Sequence, residues 1–279
     1  MEAVMFKKEK LGIRIEKSIC MLADAHAHID ALTEEEIKNA IVHRVNIIIA
    51  NGGSKNSNRR VLEISDGKHV FPALGIDPIN ADMKKKEIEE EIDFIRENAK
   101  RAVAIGEVGI DYTITNSEGG IAAQKEVFNA MAGLAAELKL PLSIHCRGSN
   151  SMPYSNVIDE IIEMLENNSI KKAHFHFFSG KEEDAKKIAD LNYFISVPPL
   201  RSQQRIDAIA GFPLPNIMAE TDSPAVGKSP IEVEKALKII AEAKKIEYEQ
   251  VCKAVYSNTE AFFNLAKASK QAFIDKKEQ

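Results

Sequence analysis

Seven histidines occur in 279 residues, and five of them, His26, His28, His145, His174 and His176, fall at or just after short apolar runs that read as strands. That clustering is the strongest chemical signal in the chain. In Asp24-Ala25-His26-Ala27-His28 the two imidazoles are two residues apart, and the period of a strand aims both to one side. They can therefore converge on one ion, although an isolated H-x-H can equally pack or hydrogen-bond. Glu107 lies at the end of a further run, in Ile105-Gly106-Glu107-Val108-Gly109. His145 and His176 end two more, and Asp222 follows another in Ala219-Glu220-Thr221-Asp222-Ser223-Pro224. Taken singly, each carboxylate also reads as a helix cap or loop anchor. Brought together, His26, His28, His145, His176, Glu107 and Asp222 have the number and type of donors for two divalent ions. A carboxylate such as Glu107 can bridge such ions at about 3.5–4 Å, the spacing of dinuclear hydrolytic sites.

Convergence requires a scaffold that gathers distant strand ends. Strand-like runs begin near Leu22, Val45, Val70, Ala102, Leu142, Ala173, Tyr193 and Ile217. Helical segments are expected over 33–44, 83–99, 118–139, 155–167, 182–190, 203–210 and 230–243, with a helical tail over 251–267. Thr33 followed by three Glu suits a helix N-terminus, and Ile88, Ile92, Ile95 and Ala99 mark one buried face. Alternation of this kind, without a long linker, predicts a parallel sheet closed into a (β/α)8 TIM barrel. Gly, Pro and polar residues concentrate after the strands, at the end of a barrel where active sites form. The expected division is an N-terminal extension over 1–20, a barrel over 21–270 and a tail over 271–279.

Composition narrows the class further. A 44% hydrophobic and 28% charged chain of this length can bury a large core. No apolar run approaches the roughly 18 residues of a membrane span. A net charge of −5 excludes a globally basic nucleic-acid coat, so any action on DNA must come from a local site. Three cysteines, Cys20, Cys146 and Cys252, lack C-x-x-C spacing, which disfavours a disulfide framework or a thiolate zinc site and suits a cytoplasmic protein, monomeric or weakly homo-oligomeric. No Walker loop, dinucleotide fingerprint or G-x-S-x-G elbow is present.

The stretch DAHAHID resembles the opening signature of TatD-like metal-dependent hydrolases. GEVGIDY, PLSIHCR, HFFSG and AETDSP are similar to that family's later blocks, in order, across about Met21 to Leu265. The resemblance implies a TIM barrel that hydrolyses phosphodiesters, commonly DNA, with divalent metals such as Mg2+, Mn2+ or Zn2+. It implies that His26, His28, Glu107 and Asp222 bind one ion, and Glu107, His145 and His176 a second. Asp222 can then accept a proton from the attacking water, with Glu107 the other catalytic carboxylate.

Other residues carry two readings each. Arg147 offers a fork suited to phosphate or serves as a surface ion-pair partner. Asp111 orients a metal-binding histidine or caps a turn. His174 should point to the same side as His176, one layer deeper, where it packs or supports a ligand from behind in preference to binding a metal itself. Asp77 stands in Gly75-Ile76-Asp77-Pro78, where the family usually has Gly-x-His-Pro. As a substrate contact its charge would repel phosphate unless it binds a metal or a cationic group. Three functions therefore compete: a deoxyribonuclease acting on DNA or a small phosphodiester, a metal-dependent amidohydrolase or esterase, and a metal-binding scaffold without catalysis.

Overall fold

Each of the eight apolar runs becomes a strand in the computed structural model, which describes residues 20–115 and 117–269. They are β1 (Leu22–Ala27), β2 (Val45–Asn51), β3 (Val70–Leu74), β4 (Ala104–Asp111), β5 (Leu142–Arg147), β6 (Ala173–Phe175), β7 (Phe194–Val197) and β8 (Ile217–Ala219). All neighbours pair in parallel and in sequence order. A helix follows every strand: α1 (Glu34–Val42), α2 (Lys55–Ile64), α3 (Lys85–Asn98), α4 (Glu118–Leu138), α5 (Tyr154–Asn167), α6 (Glu182–Asp190), α7 (Gln203–Gly211) and α8 (Val233–Lys244). A ninth, α9 (Tyr248–Phe263), comes after α8. The expected (β/α)8 barrel is the observed fold. Of the expected extension only Cys20 is described, and it is buried; the expected tail lies outside the described residues.

One helix was not anticipated. Between β2 and β3, the segment of α2 reads KNSNRRVLEI, and its buried side is only Asn58, Val61 and Leu62. Its apolar residues, Val61, Leu62 and Ile64, all lie in the last turn, so no recurrence over successive turns marks the helix in the sequence. Its start is set instead by Ser54, whose hydroxyl accepts from Ser57 N, the N-cap arrangement that satisfies an otherwise orphaned donor. Its polar face is used: Asn58 donates to Gly75 O and to the buried Glu91 of α3, each at 2.8 Å.

Two apolar layers hold the barrel. The larger lies between the strands and the helices. The smaller fills the interior, where Ala23, Ala25, Ile47, Ile49, Phe71, Ala73 and Met218 pack against Phe262 and Phe263 of α9. These aromatics close the end where the strands begin and leave the opposite end open. The seam between β8 and β1 is completed at that open end by Asp222 N donating to His26 O (2.9 Å) and His28 N donating to Ser223 O (2.8 Å). Asp24, fully buried, ties the same seam by accepting from Thr221 N at 2.9 Å and from the Thr221 hydroxyl. Glycine permits the close approach of the central strands. A side chain at Gly109 would collide with the His145 carbonyl oxygen, and one at Gly75 with that of Glu107.

Candidate metal centre

Six side chains from five strands or their following loops meet at the open end. His26 and His28 bring their Nε2 atoms to 3.3 Å of each other. Glu107 stands between two imidazole pairs. Its Oε2 lies 3.2 Å from His28 Nε2 and 3.6 Å from His26 Nε2, while its Oε1 lies 2.7 Å from His145 Nδ1 and 2.9 Å from His176 Nε2. Asp222 Oδ1 completes the first pair, 3.5 Å from His28 Nε2 and 3.9 Å from His26 Nε2. The rings of His26 and His176 stack at 3.9 Å between centroids and join the two halves. Asp222 is held on a left-handed backbone (φ 49°), a conformation Asp tolerates better than most residues. The structure thus brings together all six expected ligands, with ligand atoms close enough for three overlapping donor groups: His26, His28 and Glu107; His26, His176 and Asp222; and Glu107, His145 and His176.

Burial sets the electrostatics. By itself it would push Glu107 up, but the charge of His176 and hydrogen bonds from His145, His176 and His26 hold the carboxyl well below the usual range. Burial and the neighbouring His176 pull His26 down to about 4. Burial also works against His28, yet the hydrogen bond and charge of Glu107 raise it to about 9. Asp222 is pushed up to about 6 by burial, only partly countered by His176. A carboxylate kept ionised in this interior needs concentrated positive charge around it. A divalent cation supplies that charge and leaves every inward ring nitrogen free to act as a donor.

The outward nitrogens support the same conclusion. His145 presents Nε2 to Asp111 Oδ2 at 2.9 Å, and His26 presents Nδ1 to Ser143 Oγ at 3.3 Å. A ring that donates N–H outward keeps its inward nitrogen bare, which is how histidines are prepared for a metal. The donor set and its surroundings therefore fit divalent ions.

Comparison with known proteins gives the same family as the motifs. The family described as TatD related DNase matches residues 23–264. The chain belongs to that family. Among its relatives, an uncharacterized metal-dependent hydrolase of Methanocaldococcus jannaschii is 29% identical over 252 residues, spanning 86% of this chain and 96% of that protein. Human deoxyribonuclease TATDN3 is 26% identical over 266 residues, spanning 87% and 94% respectively. In the crystal structure of YJJV, a TatD homologue from Escherichia coli, the fold is shared with a TM-score of 0.76 at 22% identity, covering 88% of this chain and 99% of that one. This TatD-family chain is a metal-dependent hydrolase.

Beside the six residues of this TatD-family centre lies a cavity of about 1190 Å3, lined by His145, His176 and Asp222 at its base and by Tyr112, Arg147, Ser149, Asn150, Tyr154 and Phe177 around it. Arg147 is exposed at its wall, and among the described residues no carboxylate pairs with it. Asp77 is placed differently. It caps the short helix Pro78–Asn80, its Oδ1 accepting from Asn80 N (3.0 Å) and Asn80 Nδ2 (2.8 Å), while Oδ2 packs against Gly53. Burial and the nearby Glu107 push it up. Both readings of Asp111 hold at once, since Oδ2 faces His145 and Oδ1 accepts from Thr113 N and Oγ1. His174 is fully buried between Ser196 and the edges of Phe262 and Phe263.

Sequence reasoning passed over three supporting residues: Asp24, Ser143 and Glu220. Glu220 is fully enclosed, and although burial opposes its charge, His176 holds it down at about 2. An acid inside AETDSP, or a Ser two before His145, carries no mark of its role until the partner across the barrel is known.

Proposed function

We propose that this hydrolase cleaves phosphodiester bonds in DNA, at single strands or ends, with two divalent ions held by these six side chains. The observation that carries the reading is Glu107, whose two oxygens face separate imidazole pairs as a bridging carboxylate must. His26, His28 and Asp222 would hold one ion with Glu107, and His145 and His176 the other. Bound there, divalent ions supply Lewis acidity, easing the ionisation of water and offsetting charge on the phosphate. Asp222, beside the cavity, accepts the proton lost by the attacking water. Arg147, reaching the same cavity without a carboxylate partner, offers its fork to the non-bridging phosphate oxygens. Imidazole-rich donors suit Zn2+, and the carboxylates also accept Mg2+ or Mn2+.

Phosphate is favoured over a cationic amide or ester because Arg147 lines the cavity while Asp77, turned to Asn80, does not. The family description and the human relative's name agree with DNA. Three buried free thiols suit the reducing cytoplasm. The test is to strip the protein with a chelator and reload it with Mg2+, Mn2+ or Zn2+. Single-stranded DNA, bis-p-nitrophenyl phosphate and a panel of esters and amides are then assayed. Metal-restored turnover of the first two, lost in Asp222→Asn, is expected. Turnover of amides or esters alone would transfer the chain to the competing class.

A further inference from the structure

His176 is the one ligand candidate whose outward nitrogen is buried and lacks a hydrogen-bond partner. Its Nδ1 faces Glu220 Oε2 at 3.7 Å, while its Nε2 points inward to Glu107. Glu220 is wholly buried, and its two oxygens are otherwise engaged in ways that bear on the same ring. Oε1 accepts from Phe177 N at 2.6 Å, fixing the backbone of the residue next to His176. Phe177 sits at φ 48°, a left-handed conformation that is costly for a bulky side chain, so this turn requires an external hold. Oε2 accepts from Ser196 Oγ at 2.6 Å, and Ser196 Oγ in turn lies 2.6 Å from His174 Nε2. Because the Ser196 hydroxyl gives its proton to Glu220, it receives one from His174, which must carry hydrogen on Nε2. His174 Nδ1 is accordingly bare and unpartnered. This chain of donors, His174 to Ser196 to Glu220, leaves Glu220 as an acceptor facing His176.

We propose that Glu220 is a positioning residue for His176: it selects the Nδ1–H form of the ring and pins the turn after it, so that Nε2 offers a lone pair to a metal beside Glu107. The proposal rests on the two-ion reading above. It assigns the buried Ser196 and His174 a function as well, since they hold the Glu220 carboxylate with one lone pair directed at His176. A carboxylate behind a ligating imidazole raises its basicity and fixes its orientation, and loss of such a partner costs about 10–100-fold in metal affinity.

The test compares wild type, Glu220→Gln and Ser196→Ala by titrating chelator-treated protein with Mn2+ in a calorimeter, alongside thermal melts with and without Mn2+. Glu220→Gln keeps the shape and an acceptor for Phe177 N but removes the charge. The expected result is a metal dissociation constant raised about 10–100-fold for one ion with the other unchanged, and a smaller metal-induced rise in Tm. Ser196→Ala should show the same selective loss to a lesser degree, and it is read in place of Glu220→Gln if that variant does not fold. A purely structural role would lower the melts with and without Mn2+ equally and leave the titration unchanged, which overturns the proposal while the two-ion reading stands. Wild-type protein that takes up no Mn2+ overturns both.

Discussion

Asp24 is the side chain on which the seam of the barrel most depends, and its removal gives a quantitative test. It is fully buried and accepts from Thr221 N (2.9 Å), from the Thr221 hydroxyl, and more weakly from His26 N (3.3 Å). Asp24→Ala leaves both Thr221 donors without a partner in the interior, at about 1–3 kcal/mol each. Part of that is offset, because burial penalises the carboxylate more than the Thr221 hydrogen bonds favour it, pushing the acid well above its ordinary range. We therefore expect a net loss of about 2–4 kcal/mol, a Tm lower by roughly 4–8 °C for a chain of this size. Asp24→Asn, which keeps one acceptor oxygen, should lose about 1 kcal/mol. The chain has no tryptophan, so urea unfolding is followed by far-UV circular dichroism. The double variant Asp24→Ala with Thr221→Val should cost less than the sum of the two single changes by about 1–2 kcal/mol, the signature of direct coupling. Because Thr221 precedes Asp222, turnover should fall in Asp24→Ala even where the protein remains folded. Asp24→Ala within about 1 kcal/mol of wild type, with no coupling to Thr221, would refute the role given to the seam.

Two further outcomes follow from the same geometry. Arg147→Ala should lower kcat/KM for phosphodiesters about 10–100-fold, as expected for a lost charge-assisted hydrogen bond, with little change in Tm because the side chain is exposed; Arg147→Lys should recover only part, and undiminished turnover in Arg147→Ala would remove Arg147 from the substrate site. The half-buried Asp66 accepts from the N–H groups of Lys68, His69 and Val70, which overcome the opposing effect of burial and hold its carboxyl below the ordinary 3.8. A carboxyl depressed by folding stabilises the native state above its unfolded value, and that contribution is lost as pH falls through the folded value. The stability gap between wild type and Asp66→Asn, measured by urea unfolding, should accordingly narrow below about pH 4, and a gap independent of pH would contradict it.

The barrel was legible because its strands are continuous β-branched or apolar runs set between helices with one apolar face, a pattern that parallel sheets impose on sequence. The second helix escaped because its buried side includes Asn58, whose worth lies in hydrogen bonds to Gly75 and Glu91 that no local pattern announces. The candidate ligand set could be singled out for a related reason. Histidines and acids that read singly as packing or capping residues point to chemistry once several lie in or just after the strands, because a barrel gathers those positions in one place. The supports behind the ligands could not be, since Glu220, Ser143 and Asp24 work through partners on other strands. Asp77, whose charge draws attention in the sequence, caps the following short helix through Asn80 three residues away.

Glu107 as the carboxylate shared by two ions is the feature on which the proposed hydrolytic centre stands. It is tested most directly by counting the Mn2+ ions bound per chain at saturation in wild type and in Glu107→Gln, with bis-p-nitrophenyl phosphate turnover measured on the same samples. About two ions are expected in wild type, one or none in the variant, with a fall in turnover on the order of a thousandfold. Two ions retained by Glu107→Gln with undiminished turnover would contradict it.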